Sequence, residues 1–127
     1  MEKKAKDLPD RIGIEASKYC NLKCIKCPTG LGMDTGIKGF LDINNFRKML
    51  DEIPDFSGTI TLTSWGEAFL NPNIFDIIKE AKKRGIRVTT SSNLCHSDPE
   101  FARKVVESGI DKITIGIDGA CEETYLK

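Results

Sequence analysis

Asn73-Ile74-Phe75-Asp76-Ile77-Ile78-Lys79-Glu80-Ala81-Lys82-Lys83-Arg84-Gly85-Ile86-Arg87-Val88-Thr89-Thr90 is the pattern of a helix followed by a strand. Ile74, Ile77, Ile78 and Ala81 stand at i, i+3, i+4 and i+7, one face of a 3.6-residue period. Asn73 is a candidate N-cap, and Gly85 a candidate stop. The basic turn Lys82-Lys83-Arg84 reads as a solvated helix end complementing the macrodipole, not a phosphate site. Residues 87–90 are then a β-branched strand.

The same unit recurs on either side. Strands are expected over 12–16, 59–63 and 112–117 as well. Asp42 can cap a helix carrying Ile43, Phe46, Leu50 and Ile53, stopped by Pro54. Ser97 and Glu100 have capping-box spacing ahead of a helix that buries Phe101, Val105 and Val106 and closes at Gly109. A fourth helix begins near Glu122. Ile60 to Val88 is 28 positions and Val88 to Ile113 is 25, a regular length that argues for parallel strands joined by helical crossovers. The strands read as nearly continuously apolar, as in a sheet covered on both faces.

The 127 residues suffice for one domain but fall short of the roughly 250 of a closed eight-unit barrel. The expected class is α/β, with parallel βα repeats forming an incomplete (β/α) barrel of about four units and no second domain. A flavodoxin-like open sheet is the alternative. The last strand would present an unpaired edge, which proteins normally cover. The chain is therefore expected to be the N-terminal part of a longer protein or to pair with a second subunit.

Lys plus Arg is 19 and Asp plus Glu is 19, so no global field draws the chain to nucleic acid or to an anionic membrane. No run approaches the roughly 20 apolar residues of a membrane span. The charged N-terminus has no following apolar core, so it does not read as a secretory signal. Five cysteines, three of them clustered, suit a reducing compartment better than a disulfide framework. A soluble, cytoplasmic protein is the expectation.

Residues 17–41 break the rhythm: a long, glycine-rich segment after the first strand, where barrels and open sheets place active sites. It holds Cys20-Asn21-Leu22-Lys23-Cys24-Ile25-Lys26-Cys27. This C-x3-C-x2-C spacing is neither a zinc-ribbon pair nor a bacterial ferredoxin run. Three thiolates can hold three irons of a four-iron cluster and leave the fourth without a protein ligand. The alternatives are a structural zinc site with His96 completing Cys3His, or a redox or chance cluster of cysteines. In a parallel sheet the residues after each strand face the same site. They are Ser64-Trp65-Gly66-Glu67-Ala68, then Ser91-Ser92-Asn93, then Gly116-Ile117-Asp118-Gly119. Gly66 permits close backbone approach, the Glu67 carboxylate can accept from an ammonium, and Ser92 and Asn93 suit a ribose or a carboxylate. Taken singly, each segment is ordinary turn chemistry.

In this order the segments resemble the radical S-adenosylmethionine (radical SAM) superfamily, from about Arg11 to the end of the chain. The resemblance implies a 4Fe–4S cluster on Cys20, Cys24 and Cys27 and SAM at the open iron. It implies reductive cleavage of SAM to a 5′-deoxyadenosyl radical that abstracts hydrogen from a substrate left unspecified. Residues 1–127 would be the N-terminal portion of the core domain, with the cluster loop at about 17–41. Gly66-Glu67 is similar to the family's Gly-Glu-Pro segment, with Ala68 for the proline, and implies a hold on the methionine ammonium. Ser92-Asn93 is similar to Thr-Asn-Gly, with Leu94 for the glycine. Asp118-Gly119 is similar to Ser-x-Asp-Gly, with Gly116 for the serine. Ser92, Asn93 and Asp118 would face the ribose or methionine end. Lys26 stands where an aromatic residue is frequent and reads as solvent-facing. Cys27-Pro28 is similar to the subgroup with a C-terminal SPASM extension. A low-potential electron donor of flavodoxin or ferredoxin type is implied, and oxygen sensitivity with it.

Cys95 and Cys121 read as free thiols without a role, near the site mouth, and His96 as a local cap. Trp65 reads as a core residue or as a platform for the cofactor. The rival function is a non-catalytic zinc or iron–sulfur βα module, or a fragment lacking the substrate half.

Overall fold

The computed structural model describes residues 8–33, 36–96 and 98–125. Strands β1 (Arg11–Gly13), β2 (Thr59–Thr61), β3 (Arg87–Ser92) and β4 (Lys112–Ile115) alternate with helices α1 (Ile43–Asp51), α2 (Ile74–Lys83), α3 (Pro99–Ser108) and α4 (Glu122–Tyr125). The sheet is parallel throughout, in the order β1-β2-β3-β4. Each crossover therefore sets the next strand beside its predecessor, as βα repeats of a partial barrel require. Among the described residues no helix is long and apolar enough to cross a membrane.

The register aligns Ile12, Ile60 and Val88 on one face. Helices α1 and α2 cover that face with Phe46, Leu50, Ile74, Ile77, Ile78 and Ala81, all buried. The spacing in the sequence placed the α2 stripe correctly. Phe101 and Val105 of α3 pack at the margin of this core, but Val106 is 80% exposed, contrary to expectation. Because α3 meets the core only at its margin, a narrower face of it is covered, and Val106, about 100° around the helix from Val105, falls outside that face.

The other face corrects the expectation of a sheet apolar on both sides. Arg11, Thr59, Thr61, Thr89, Ser91, Lys112 and Thr114 alternate with the core residues, and none of them is buried. Thr61 and Thr89 join their hydroxyls across the strands at 3.0 Å. Threonine is β-branched and so reads as strand, but its hydroxyl makes this face polar.

Strand ends also move. β1 stops at Gly13, short of residue 16, because after Ile14 N–H reaches the Thr61 carbonyl (2.9 Å) the chain leaves the sheet to pair with its own return segment. β2 stops at Thr61, and the Thr63 side chain, not its backbone, receives the Ser91 N–H at 2.7 Å. β3 runs on to Ser92 and β4 ends at Ile115. Asp42 caps α1 as expected, accepting from Asn44 and Asn45 amides at 2.8 and 3.1 Å. Asn73 holds the N-cap position of α2 without a side-chain bond; its own amide donates to Asn71 Oδ1 instead. Ser97 lies outside the described residues, and the cap of α3 is Asp98, accepting from the Phe101 amide at 2.9 Å.

The basic end of α2 is more than a solvated terminus. Lys82 Nζ lies 2.8–2.9 Å from both oxygens of Asp111, and Asp111 Oδ2 accepts from the Val88 amide at 2.7 Å. Burial opposes the charge on Asp111, but Lys82 and the Val88 amide hold its carboxyl below the ordinary range. A folded-state pKa below the unfolded value of about 3.9 stabilises the fold above that pH, and the contribution fades as pH falls through the folded value. Asp111→Asn should cost about 1–2 kcal/mol in urea unfolding at pH 7. The gap to the parent should shrink as pH falls through the lowered folded-state pKa of Asp111, where the parent side chain also becomes neutral; a pH-independent gap would assign the loss to geometry alone.

Candidate active site

The cysteine loop leaves the sheet through a narrow neck. Ser17 and Phe40 form an antiparallel bridge, Leu41 N–H donates to the Ala16 carbonyl (3.0 Å), and Lys18 N–H to the Gly39 carbonyl (2.9 Å). Asn71 closes the neck from behind. Its side chain is buried, and Nδ2 donates to the carbonyls of Ala16 (2.8 Å) and Leu41 (3.0 Å), one on each side of the neck. Two Nδ2 protons and one Oδ1 lone pair are thus committed, which only an amide can satisfy. In sequence Asn71 is one more residue of an Asn-Pro-Asn turn, and nothing there signals this role.

Within the loop the three thiols stand on successive tight turns. Cys20 Sγ accepts from the Leu22 amide at 3.5 Å. Cys27 N–H donates to the Cys24 carbonyl (3.1 Å), and Leu31 N–H to the Cys27 carbonyl (2.9 Å). Gly30 packs on the Cys24 backbone so closely that a Cβ would lie 2.5 Å from its carbonyl oxygen. The Gly30 amide, helped by that of Thr29, favours the Cys27 thiolate and draws its pKa below the ordinary thiol value, against a desolvation that outweighs the Thr29 amide alone. The Thr29 hydroxyl donates to the Trp65 carbonyl at 2.8 Å, so the amides are the thiolate's durable partners. All three thiols are free, and Cys24 is exposed. Thiolate is the form that ligates iron.

Among the described residues no three His, Cys, Asp or Glu side chains converge on one point, as a mononuclear zinc site demands. His96, the candidate fourth zinc ligand, packs instead 5.6 Å from the Phe101 ring. Three thiols on separate turns of one loop could each take a different corner of a cubane. The donor set therefore fits a four-iron cluster with one iron left open.

Glu67 organises the strand ends. It is 4% exposed, and Oε1 accepts from the Phe69 amide (3.1 Å) and Ser92 Oγ (2.9 Å), while Oε2 accepts from the Asn93 amide (2.9 Å). Its own N–H donates to the Tyr19 carbonyl at 2.8 Å. Gly66 lies against the same stretch: a Cβ there would sit 1.8 Å from the Ser17 carbonyl oxygen. With Ala68 in the proline's place, Glu67 itself caps the 3₁₀ turn Ala68–Leu70. Leu94 adopts φ +47°, the left-handed conformation that glycine supplies without steric cost. This lets its amide reach Ser92 Oγ at 3.0 Å, and its half-buried side chain packs on the core. Asn93 Nδ2 bonds Asn21 Oδ1 (3.1 Å), linking β3 to the cysteine loop.

These parts meet in an open cleft of about 310 Å3 lined by Cys20, Cys24, Gly66, Glu67, Ser92, Asn93 and Asp118, with Thr114, Ile115 and Gly116 on its β4 side. Every expected site residue but Cys27 lines it. Cys95 and Cys121 do not, and both are exposed. Trp65 is neither core nor cleft wall: it is 53% exposed, and its amide donates to Glu15 Oε1 at 3.0 Å. Lys26 is exposed, as expected.

Comparison with known proteins agrees with this geometry. The model of the radical SAM superfamily matches residues 14–127. An AdoMet-dependent heme synthase of Methanosarcina barkeri is 29% identical over 117 residues, covering 92% of this chain and 33% of that protein. A pre-heme d1 synthase of Dinoroseobacter shibae is 31% identical over 81% of this chain and 25% of its own length. The chain thus spans about a third or less of these relatives. A solved structure of BtrN in complex with AdoMet and 2-DOIA superposes with a TM-score of 0.75 at 20% identity, covering 94% of this chain and 52% of that one.

Two substitutions and one control test the positioning network. Asn71→Asp keeps the shape but aims an acceptor at the Ala16 and Leu41 carbonyls. It should cost about 3 kcal/mol or more in urea unfolding, since both carbonyls lose the Asn71 donor, the Ala16 carbonyl keeping only the Leu41 amide, and a buried carboxylate oxygen faces them instead. Gly66→Ala should cost at least as much through the Ser17 clash, whereas Gly39→Ala, with nothing within 4 Å of the new methyl, should be neutral or stabilise by about 0.4–1 kcal/mol. Equal effects at Gly66 and Gly39 would mean that the loops yield freely.

Proposed function

Because the chain belongs to the radical SAM superfamily, we propose that residues 1–127 form the N-terminal portion of a radical SAM core domain, with a 4Fe–4S cluster on Cys20, Cys24 and Cys27 and SAM in the adjoining cleft. The observation that carries this reading is the meeting of the cysteine loop with the C-terminal ends of β2, β3 and β4 around one cleft. When bound, cluster and SAM together supply reductive cleavage to a 5′-deoxyadenosyl radical for hydrogen abstraction. The chain's own residues hold and orient the reactants.

Glu67 has three of its roughly four lone-pair sites filled from within the chain, leaving one on Oε2 for the methionine ammonium. Gly66 keeps the backbone beside it bare. The Ser92 hydroxyl donates to Glu67 and accepts from Leu94, so it works mainly by aiming Glu67. Asn93 retains a second Nδ2 proton for a ribose or carboxylate oxygen. Asp118, exposed and without a hydrogen-bond partner among the described residues, is placed to accept from the ribose hydroxyls.

The electron comes from a low-potential flavodoxin- or ferredoxin-type donor, and the substrate half comes from a further part of the protein or a second subunit. An oxygen-sensitive cluster suits a cytoplasmic setting. Substrates such as those in the relatives' names belong to proteins about three times longer than this chain.

Anaerobic reconstitution with iron and sulfide, followed by EPR of the reduced protein with and without SAM, tests the reading. The expected result is a four-iron signal that shifts when SAM is added. It should vanish in Cys20→Ala, Cys24→Ala and Cys27→Ala but persist in Cys95→Ala and Cys121→Ala. A preparation that holds zinc and builds no cluster would sink the proposal.

A further inference from the structure

A second cleft, of about 160 Å3, opens on the polar face of the sheet, lined by Arg11, Thr61, Thr89, Ser91, Lys112 and Thr114. It shares Ser91 and Thr114 with the cleft beside the cysteine loop. One trough therefore runs along the sheet from the strand starts to the cysteines. From Thr89 to Asn93 is four residues of extended chain, about 13 Å.

The far end of this trough is cationic. Arg11 and Lys112 line it, and no acidic side chain does. Most cations on the helices are paired, as in Arg47–Glu80, Arg84–Asp51, Arg103–Glu107 and Lys104–Glu100. Among the described residues Arg11 and Lys112 have no such partner. On a flat sheet β1 and β4 would stand about 14 Å apart, three strand spacings. Both cations nevertheless line one cleft. Between them the Thr61 and Thr89 hydroxyls share one hydrogen bond, which leaves one O–H free to donate outward. Two unpaired cations and a free hydroxyl in an uncovered concavity are what an oxyanion requires.

We propose that Arg11, Lys112 and the Thr61–Thr89 pair form an anion-binding subsite that holds a carboxylate or phosphate group of the substrate. The reactive end of the same molecule then reaches the cysteine end of the trough. As a substrate subsite this rests on the enzyme reading above; as an anion site it stands on the geometry alone.

Calorimetric titration of the reconstituted full-length protein with propane-1,2,3-tricarboxylate and with inorganic pyrophosphate tests it. At least one probe should bind saturably. Arg11→Gln and Lys112→Gln should each weaken that binding about tenfold, the scale of a lost hydrogen bond to a charged group. Arg103→Gln, on the outer face of α3, should leave it unchanged. Tighter tricarboxylate binding assigns a carboxylated substrate, and tighter pyrophosphate binding a phosphorylated one. Absence of saturable binding, or equal losses in all three variants, would overturn the subsite. A protein that builds the cluster and shifts with SAM yet binds neither probe loses the subsite alone. One that binds a probe but builds no cluster loses the enzyme reading and keeps the anion site.

Discussion

A carboxylate removed from water must find hydrogen-bond donors or lose its charge, and Glu67 finds three within a few residues of the site. The Phe69 amide fixes the turn into α2, the Ser92 hydroxyl fixes the end of β3, and the Asn93 amide fixes the loop beyond it. Satisfying this one buried group holds two strand ends in register beyond the point where the β-ladder itself stops. The Glu67 amide then binds Tyr19, at the threshold of the cysteines. The group that reads as a ligand is therefore first of all the joint between the sheet and the cluster loop.

Asn71 does for the base of the loop what Glu67 does for its rim. A segment of 25 residues without a regular element would have little to hold its cysteines in place. Two carbonyls held by one buried amide turn the two ends of that segment into a fixed neck. The thiols then depend only on short local turns: Gly30 against Cys24, and the Gly30 and Thr29 amides beside Cys27. Departures from the family pattern are absorbed in the same economical way. Glu67 caps the turn that a proline at 68 would stiffen. Leu94 accepts a left-handed backbone, a strain of order 1–2 kcal/mol, and offsets it with burial on the core and a bond to Ser92.

The asymmetry of the sheet bears on what the whole protein does. A sheet with helices on one face and hydroxyls and cations on the other has a dry side that gives stability and a wet side left for ligands. Polar residues on a concave parallel sheet are costly to bury unless something polar meets them. The cleft that Arg11 of β1 and Lys112 of β4 both line shares Ser91 and Thr114 with the cleft beside the cysteine loop, which makes that face a trough leading to the loop.

By itself the sequence determined the order of elements, the α2 stripe of Ile74, Ile77, Ile78 and Ala81, the three-thiol spacing and the polar segments after each strand. All of these are written in short windows, where periodicity and spacing act over fewer than about a dozen residues. Only the tertiary structure decided that Val106 faces solvent, that Asp98 caps α3, and that Lys82 serves Asp111. It alone decided that Asn71 is the clasp of the cysteine loop and that the threonines face an open trough. Those outcomes depend on which groups from distant windows meet, and a hydrogen bond between residues 16 and 71 leaves no mark on the sequence near either one.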